Sequence, residues 1–157
     1  MTETRHFRAV VQSGTCDPAT SAPTTVNVNP LPTQFAIDGG NSYCSGGTGV
    51  ILNLDDSQVG WTYYLVFGGA DVASVAGTDA AVNFPAQTAA GVYSARAYNP
   101  GTGCGLNMLG TTTIGIWDLP TVSAGPDQSV CVGSTVTLSG TGATSYIWSG
   151  GVTNGVA

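Results

Sequence analysis

Apolar residues recur at every second position in four stretches of the chain. Val50 and Leu52 form the first set, Tyr63 and Leu65 the second, Tyr93, Ala95 and Ala97 the third, Ile114 and Ile116 the fourth. A period of two marks a strand with one buried face, so these side chains are expected to point into a core. On this pattern 34–38, 49–54, 61–67, 91–98 and 111–117 read as strands, with 71–76 and 80–84 as shorter, weaker ones. Turn residues punctuate them: Asp55-Asp56, Gly68-Gly69, and Asn99-Pro100-Gly101-Thr102-Gly103. Short strands with turn signals every ~8–12 residues predict an all-β chain folded as an antiparallel β-sandwich.

The pattern also repeats. Thr24-Thr25-Val26-Asn27-Val28-Asn29-Pro30-Leu31-Pro32-Thr33 returns as Thr112-Thr113-Ile114-Gly115-Ile116-Trp117-Asp118-Leu119-Pro120-Thr121, at an offset of 88 residues. Cys16 maps onto Cys104 at the same offset, and Cys44 onto Cys131 at 87. Self-similarity at a fixed period is the signature of serial units. The chain therefore divides into the C-terminal part of one repeat (1–32, its last two strands), a complete repeat (33–120) and the N-terminal part of the next (121–157, its first three strands). Pro30, Leu31 and Pro32 at one joint, and Leu119 and Pro120 at the other, should form stiff, extended linkers, because proline fixes φ and removes a donor.

Composition narrows the function. The chain of 157 residues has a net charge of −6, three arginines (Arg5, Arg8, Arg96) and no lysine. Such a chain cannot neutralise a phosphate backbone, so nucleic acid is excluded as a partner. A polybasic membrane patch is excluded for the same reason, and no stretch approaches the ~18 apolar residues needed for membrane insertion as a helix. Gly, Thr and Ser make up 57 residues while strong helix formers are scarce, which fits strands and turns. Four cysteines in a lysine-free chain point to an extracellular or cell-surface setting. Met1-Thr2-Glu3-Thr4-Arg5-His6 lacks the apolar core of an export signal, so the signal is expected outside this stretch.

Ala90-Gly91-Val92-Tyr93-Ser94-Ala95 resembles the immunoglobulin Gly-x-Tyr-x-Cys corner, with Ala95 in the cysteine's place. Ala124-Gly125-Pro126-Asp127-Gln128-Ser129-Val130-Cys131, Val136-Thr137-Leu138-Ser139-Gly140 and Ser145-Tyr146-Ile147-Trp148-Ser149-Gly150-Gly151 are similar to PKD-like and Ig-like repeats. Such repeats stand in tandem in large secreted Bacteroidota surface proteins, including adhesins and gliding-associated proteins. The resemblance implies Ig-like β-sandwich repeats, and a tyrosine corner in which the Tyr93 hydroxyl caps backbone at the turn into its strand.

Reactive chemistry is sparse. His6 is the sole histidine, no Gly-x-Ser-x-Gly elbow is present, and Gly101-Thr102-Gly103-Cys104-Gly105 lacks the lysine and following helix of a phosphate loop. Asp55-Asp56 reads as a turn rather than a calcium site, which needs six to eight oxygens. No catalytic, cofactor or metal site is expected, and the chain is not expected to be an enzyme. Trp61, Trp117 and Trp148 read mainly as packing residues, with sugar stacking as the minority reading.

The expected function is therefore a structural or adhesive segment, or subunit, of an extracellular filament or stalk. Its partners would be copies of itself, head to tail, or neighbouring repeats of a longer chain. The two partial ends would complete each other across copies, since neither can bury its apolar face alone. The alternative is a carbohydrate-binding module for surface polysaccharide. One cysteine pair per complete repeat predicts a Cys44–Cys104 disulfide, and likewise Cys16–Cys131 between subunits or successive repeats.

Overall fold

The computed structural model describes residues 3–150. The outermost parts of both terminal segments, 1–2 and 151–157, lie outside the described residues. Every described element is a strand: the chain is all-β, with several sheets and no helix among the described residues. It divides into two units, one of 1–42 with 48–115 and one of 43–47 with 116–157.

The first unit holds most of two core-forming sheets, with Tyr43, Cys44, Ile116 and Trp117 falling to the second unit. One takes β5 (Ile37–Asp38), β7 (Asn53–Leu54) and β10 (Val82–Asn83) in the order β10-β7-β5. The other runs β6 (Ser42–Cys44), β13 (Thr112–Trp117), β11 (Gly91–Asn99), β8 (Thr62–Phe67) and β9 (Ala70–Ala76), with β12 (Cys104–Asn107) also paired to β11. Ile37, Leu52, Leu54, Val82 and Phe84 from the first sheet and its flanks are buried, as are Tyr63, Leu65, Tyr93, Ala95, Ala97 and Ile114 from the second. Each sheet thus carries one buried set of side chains, an arrangement consistent with a β-sandwich.

Local chemistry explains the turns. β8 and β9 join through Gly68 and Gly69, both at positive φ (58° and 83°), with Phe67 opposite Ala70. A two-residue hairpin turn of this kind needs left-handed backbone at both positions, which glycine supplies without strain. The β11–β12 turn is held by Asn99, whose side-chain oxygen accepts from the backbone N–H groups of Gly101 (2.9 Å) and Thr102 (3.3 Å). Asn99 thereby satisfies donors that no ladder reaches.

Two core expectations shift. Val50 is half-buried, and Ile116 is 40 % exposed rather than inward-facing. The β11–β13 ladder ends at Gly91 opposite Ile114, so Ile116 lies past the end of β11.

The same unit begins with a separate ribbon. β1 (Arg5–Phe7) pairs with β4 (Thr24–Val26), and β2 (Val10–Val11) pairs with β3 (Ala19–Thr20). Every residue of these strands is exposed. The break between the two short ladders is bridged by Ser21, whose N–H donates to the Ala9 carbonyl (2.9 Å) and whose hydroxyl accepts from the Ala9 N–H (3.0 Å). His6 belongs to this ribbon, with its Nδ1 2.8 Å from the Thr25 hydroxyl.

In the second unit, 121–150 forms no strand among the described residues. Its first rung is nevertheless in place: Ser123 and Thr141 exchange both backbone hydrogen bonds, at 3.1 and 3.0 Å. In the complete repeat the corresponding rung joins Ala36 and Asp55, with the Asp55 N–H donating to the Ala36 carbonyl at 3.1 Å.

Candidate functional site

Cys104 and Cys44 lie near opposite limits of β11. Cys104 stands opposite Asn99 at the tip of the β11–β12 hairpin. The chain enters the repeat on that side: Gln34 Nε2 donates to the Asn107 carbonyl (2.8 Å) and the Leu109 N–H to the Phe35 carbonyl (2.8 Å). At the other limit of β11, Gly91 faces Ile114, and the next residue, Gly115, donates to the Asn41 carbonyl at 3.0 Å. Cys44 follows Asn41 by three residues, and the N–H of the adjoining Ser45 donates to the Trp117 carbonyl at 2.8 Å.

The expected Cys44–Cys104 disulfide is thereby corrected. Eight residues of β11 separate the two levels, roughly 26 Å at strand rise. A disulfide tolerates a Cα separation of only about 7 Å. All four cysteines, Cys16, Cys44, Cys104 and Cys131, are free thiols. Cys16 holds the hairpin position in the ribbon and Cys131 the position of Cys44.

Tyr93 is buried at the start of β11, and its hydroxyl donates to the Ala89 carbonyl at 2.8 Å. Its ring stacks on Phe67 with centroids 4.6 Å apart. Gly91 is required beneath that stack, because a Cβ there would meet the Phe67 ring at 2.7 Å. Pro32 is buried while Leu31, Leu119 and Pro120 are exposed, as is Pro30. Asp55 and Asp56 serve turns: their carboxylates accept from the N–H groups of Ala36 (2.9 Å) and Ser57 (2.7 Å).

The outer face of β8, β9 and β11 carries a cluster that the core-facing alternation does not announce. Arg96, opposite Tyr64 in the β11–β8 ladder, makes a forked ion pair with Asp71 and lies over the Tyr64 ring at 4.4 Å. Tyr98 flanks it at 5.9 Å. Hydrogen bonding to the guanidinium holds the Asp71 carboxyl below its ordinary range and raises Arg96 further. The sequence does carry a signal for it: 94, 96 and 98 are the outward positions of a strand whose inward ones are apolar, and Arg96 is the repeat's one basic residue. Trp61 and Trp148 are half-buried and Trp117 is exposed.

Two surfaces lack cover. The ribbon exposes Phe7, Val10, Val11 and Val26. The 121–150 segment holds an open, largely apolar groove of about 190 Å³, lined by Val122, Ala124, Gly140, Tyr146, Ile147 and Trp148. No protein-family model and no curated protein matches the chain.

Proposed function

We propose that the chain is a structural segment of an extracellular filament or stalk made of Ig-like β-sandwich repeats. In this reading the ribbon of one copy completes the 121–157 half-domain of the copy before it. The observation that carries the reading is the likeness between the ribbon and the β11–β13 hairpin. Both are two-step ladders with a single break, bridged at Ala9 and Ser21 in one and at Ala95 and Met108 in the other (2.9 and 2.8 Å). Tyr93 and Ile114 are buried in the core of the complete repeat. Their counterparts in the ribbon's ladder, Phe7 and Val26, are exposed, with no core of their own to cover. The groove of 121–150 offers one.

A donated ribbon would add backbone hydrogen bonds along its length and seat alternate side chains. The contact is heterologous, so it propagates into an open fibre rather than a closed dimer. The same surfaces would meet covalently joined repeats if the stretch belongs to a longer polypeptide. The test is sedimentation of the purified chain in reducing buffer over a range of concentrations, with electron microscopy of the heavy fraction. Concentration-dependent growth into fibres, abolished by Phe7→Asp, is the expected result. A monomer at every concentration overturns it.

The Tyr64–Arg96–Tyr98 face favours a second reading, binding of surface polysaccharide. Aromatic faces and a fixed guanidinium–carboxylate pair suit sugar stacking and hydroxyl recognition. A glycan array would show binding lost in Tyr64→Ala and Arg96→Ala. No bound glycan retires this reading.

A further inference from the structure

The four free thiols obey a rule that the Cys44–Cys104 expectation missed. Residues 34–37 run beside 107–109 in the same direction, with Ala36 bridged in parallel to Leu109. Followed back, the linker Pro30-Leu31-Pro32 comes level with Cys104. Cys44 instead adjoins Trp117, just before the departing Asp118-Leu119-Pro120. Each repeat therefore carries one thiol where its chain arrives, in the hairpin, and one where its chain leaves. Cys16 is of the arrival kind and Cys131 of the departure kind. In the head-to-tail reading, a joint of so few residues would set the departure end of one repeat beside the arrival end of the following one.

We propose that these thiols form disulfides across the joints: the departure cysteine of one repeat with the hairpin cysteine of the next. The inference rests on the head-to-tail reading above. In such a fibre the order is repeat, shared domain, repeat. Cys44 of one copy then meets Cys16 of the next copy, and Cys131 of the first meets Cys104 of the next. Both bonds link copies, and all four thiols are used. The oxidant is a small-molecule disulfide. One thiolate attacks it, forming a mixed disulfide and releasing one small thiol. The facing thiolate then displaces the second small thiol. Two protein thiols thus lose two protons and two electrons, and the small disulfide is reduced to two thiols.

The full chain is incubated with oxidised and reduced glutathione, its remaining thiols are blocked, and it is run on a non-reducing gel and digested for peptide mapping. A covalent ladder in steps of the 15.7 kDa chain is expected, with cross-linked peptides 44–16 and 131–104. Paired variants give opposite answers for the two connectivities. Cys16→Ser with Cys44→Ser keeps the ladder through 131–104, whereas Cys16→Ser with Cys131→Ser abolishes it. If instead 44 pairs with 104 and 16 with 131, the first variant has no disulfide and the second closes one within each chain. Peptides 44–104 or 16–131, or four thiols still free after oxidation, overturn the inference. Sedimentation in reducing buffer, which no thiol influences, separates the two claims. Assembly with free thiols overturns the cross-links alone; a reduced monomer that also stays unlinked overturns the fibre as well.

Discussion

Tyr93 and Phe7 occupy equivalent places in two hairpins of one plan: each is the last rung before the break, Tyr93 opposite Thr112 and Phe7 opposite Thr24. Tyr93 is 1 % exposed and Phe7 is 41 %. In the β11 hairpin, β8 extends the sheet and the inward side chains are buried. The ribbon has neither. Strand geometry and turn chemistry are thus local, surviving where no core exists, while burial belongs to the complete set of strands. A hairpin without a third strand or a covering layer is marginal alone in water.

The largest effect that would break this comparison is a substitution made at both kinds of position. Leu65→Ala, in the core, should cost about 2–5 kcal/mol in chemical denaturation. Phe7→Ala should cost less than about 0.5 kcal/mol in the isolated chain, yet weaken association between copies. A comparable loss from Phe7→Ala in a verified monomer would mean that the ribbon is already packed within its own chain.

Ser57 sharpens the difference next. Its fully buried hydroxyl donates to the Ala80 carbonyl (2.6 Å) and accepts from the Thr78 N–H (2.9 Å). Ser57→Ala removes both bonds and should cost about 0.5–1.5 kcal/mol. Ser21 plays a similar bridging part in the ribbon but is exposed, so water can replace it, and Ser21→Ala should leave the midpoint unchanged.

Tyr93→Phe removes the bond to Ala89 while keeping the ring stacked on Phe67, and should cost about 0.5–1.5 kcal/mol. A loss well above that range would show the hydroxyl organising more than its own turn.

The smallest effect lies on the outer face. Asp71 is held below its ordinary range by Arg96. Its contribution is present above the ordinary carboxylate pKa and is lost as pH falls through the depressed value. Both groups are exposed enough for water and salt to screen the pair. Asp71→Asn should therefore shift the midpoint only slightly and flatten its acid dependence. An unchanged acid limb would show that the pair adds nothing.

Several features are legible in the amino-acid sequence by itself. Alternation marks Leu52, Tyr63, Leu65, Tyr93, Ala95 and Ile114 as inward, because a strand fixes side-chain direction residue by residue. Gly68-Gly69 and Asn99-Pro100-Gly101 announce their turns through local φ and hydrogen-bonding demands. The offset of 88 is visible as plain recurrence. What escapes depends on register between strands remote in sequence. Ile116 keeps the alternation but outruns its partner strand. Arg96 meets Tyr64 and Asp71 only because three strands align at one level. Ser57 is buried by a loop twenty-odd residues away. The cysteine spacing suggests a bond within the repeat, and the β11 ladder puts its two ends far apart. Sequence determined the faces, turns and period of this protein, since these follow from local backbone geometry. Tertiary structure decided which faces are covered and that Cys44 and Cys104 stand far apart, since both depend on where distant strands end.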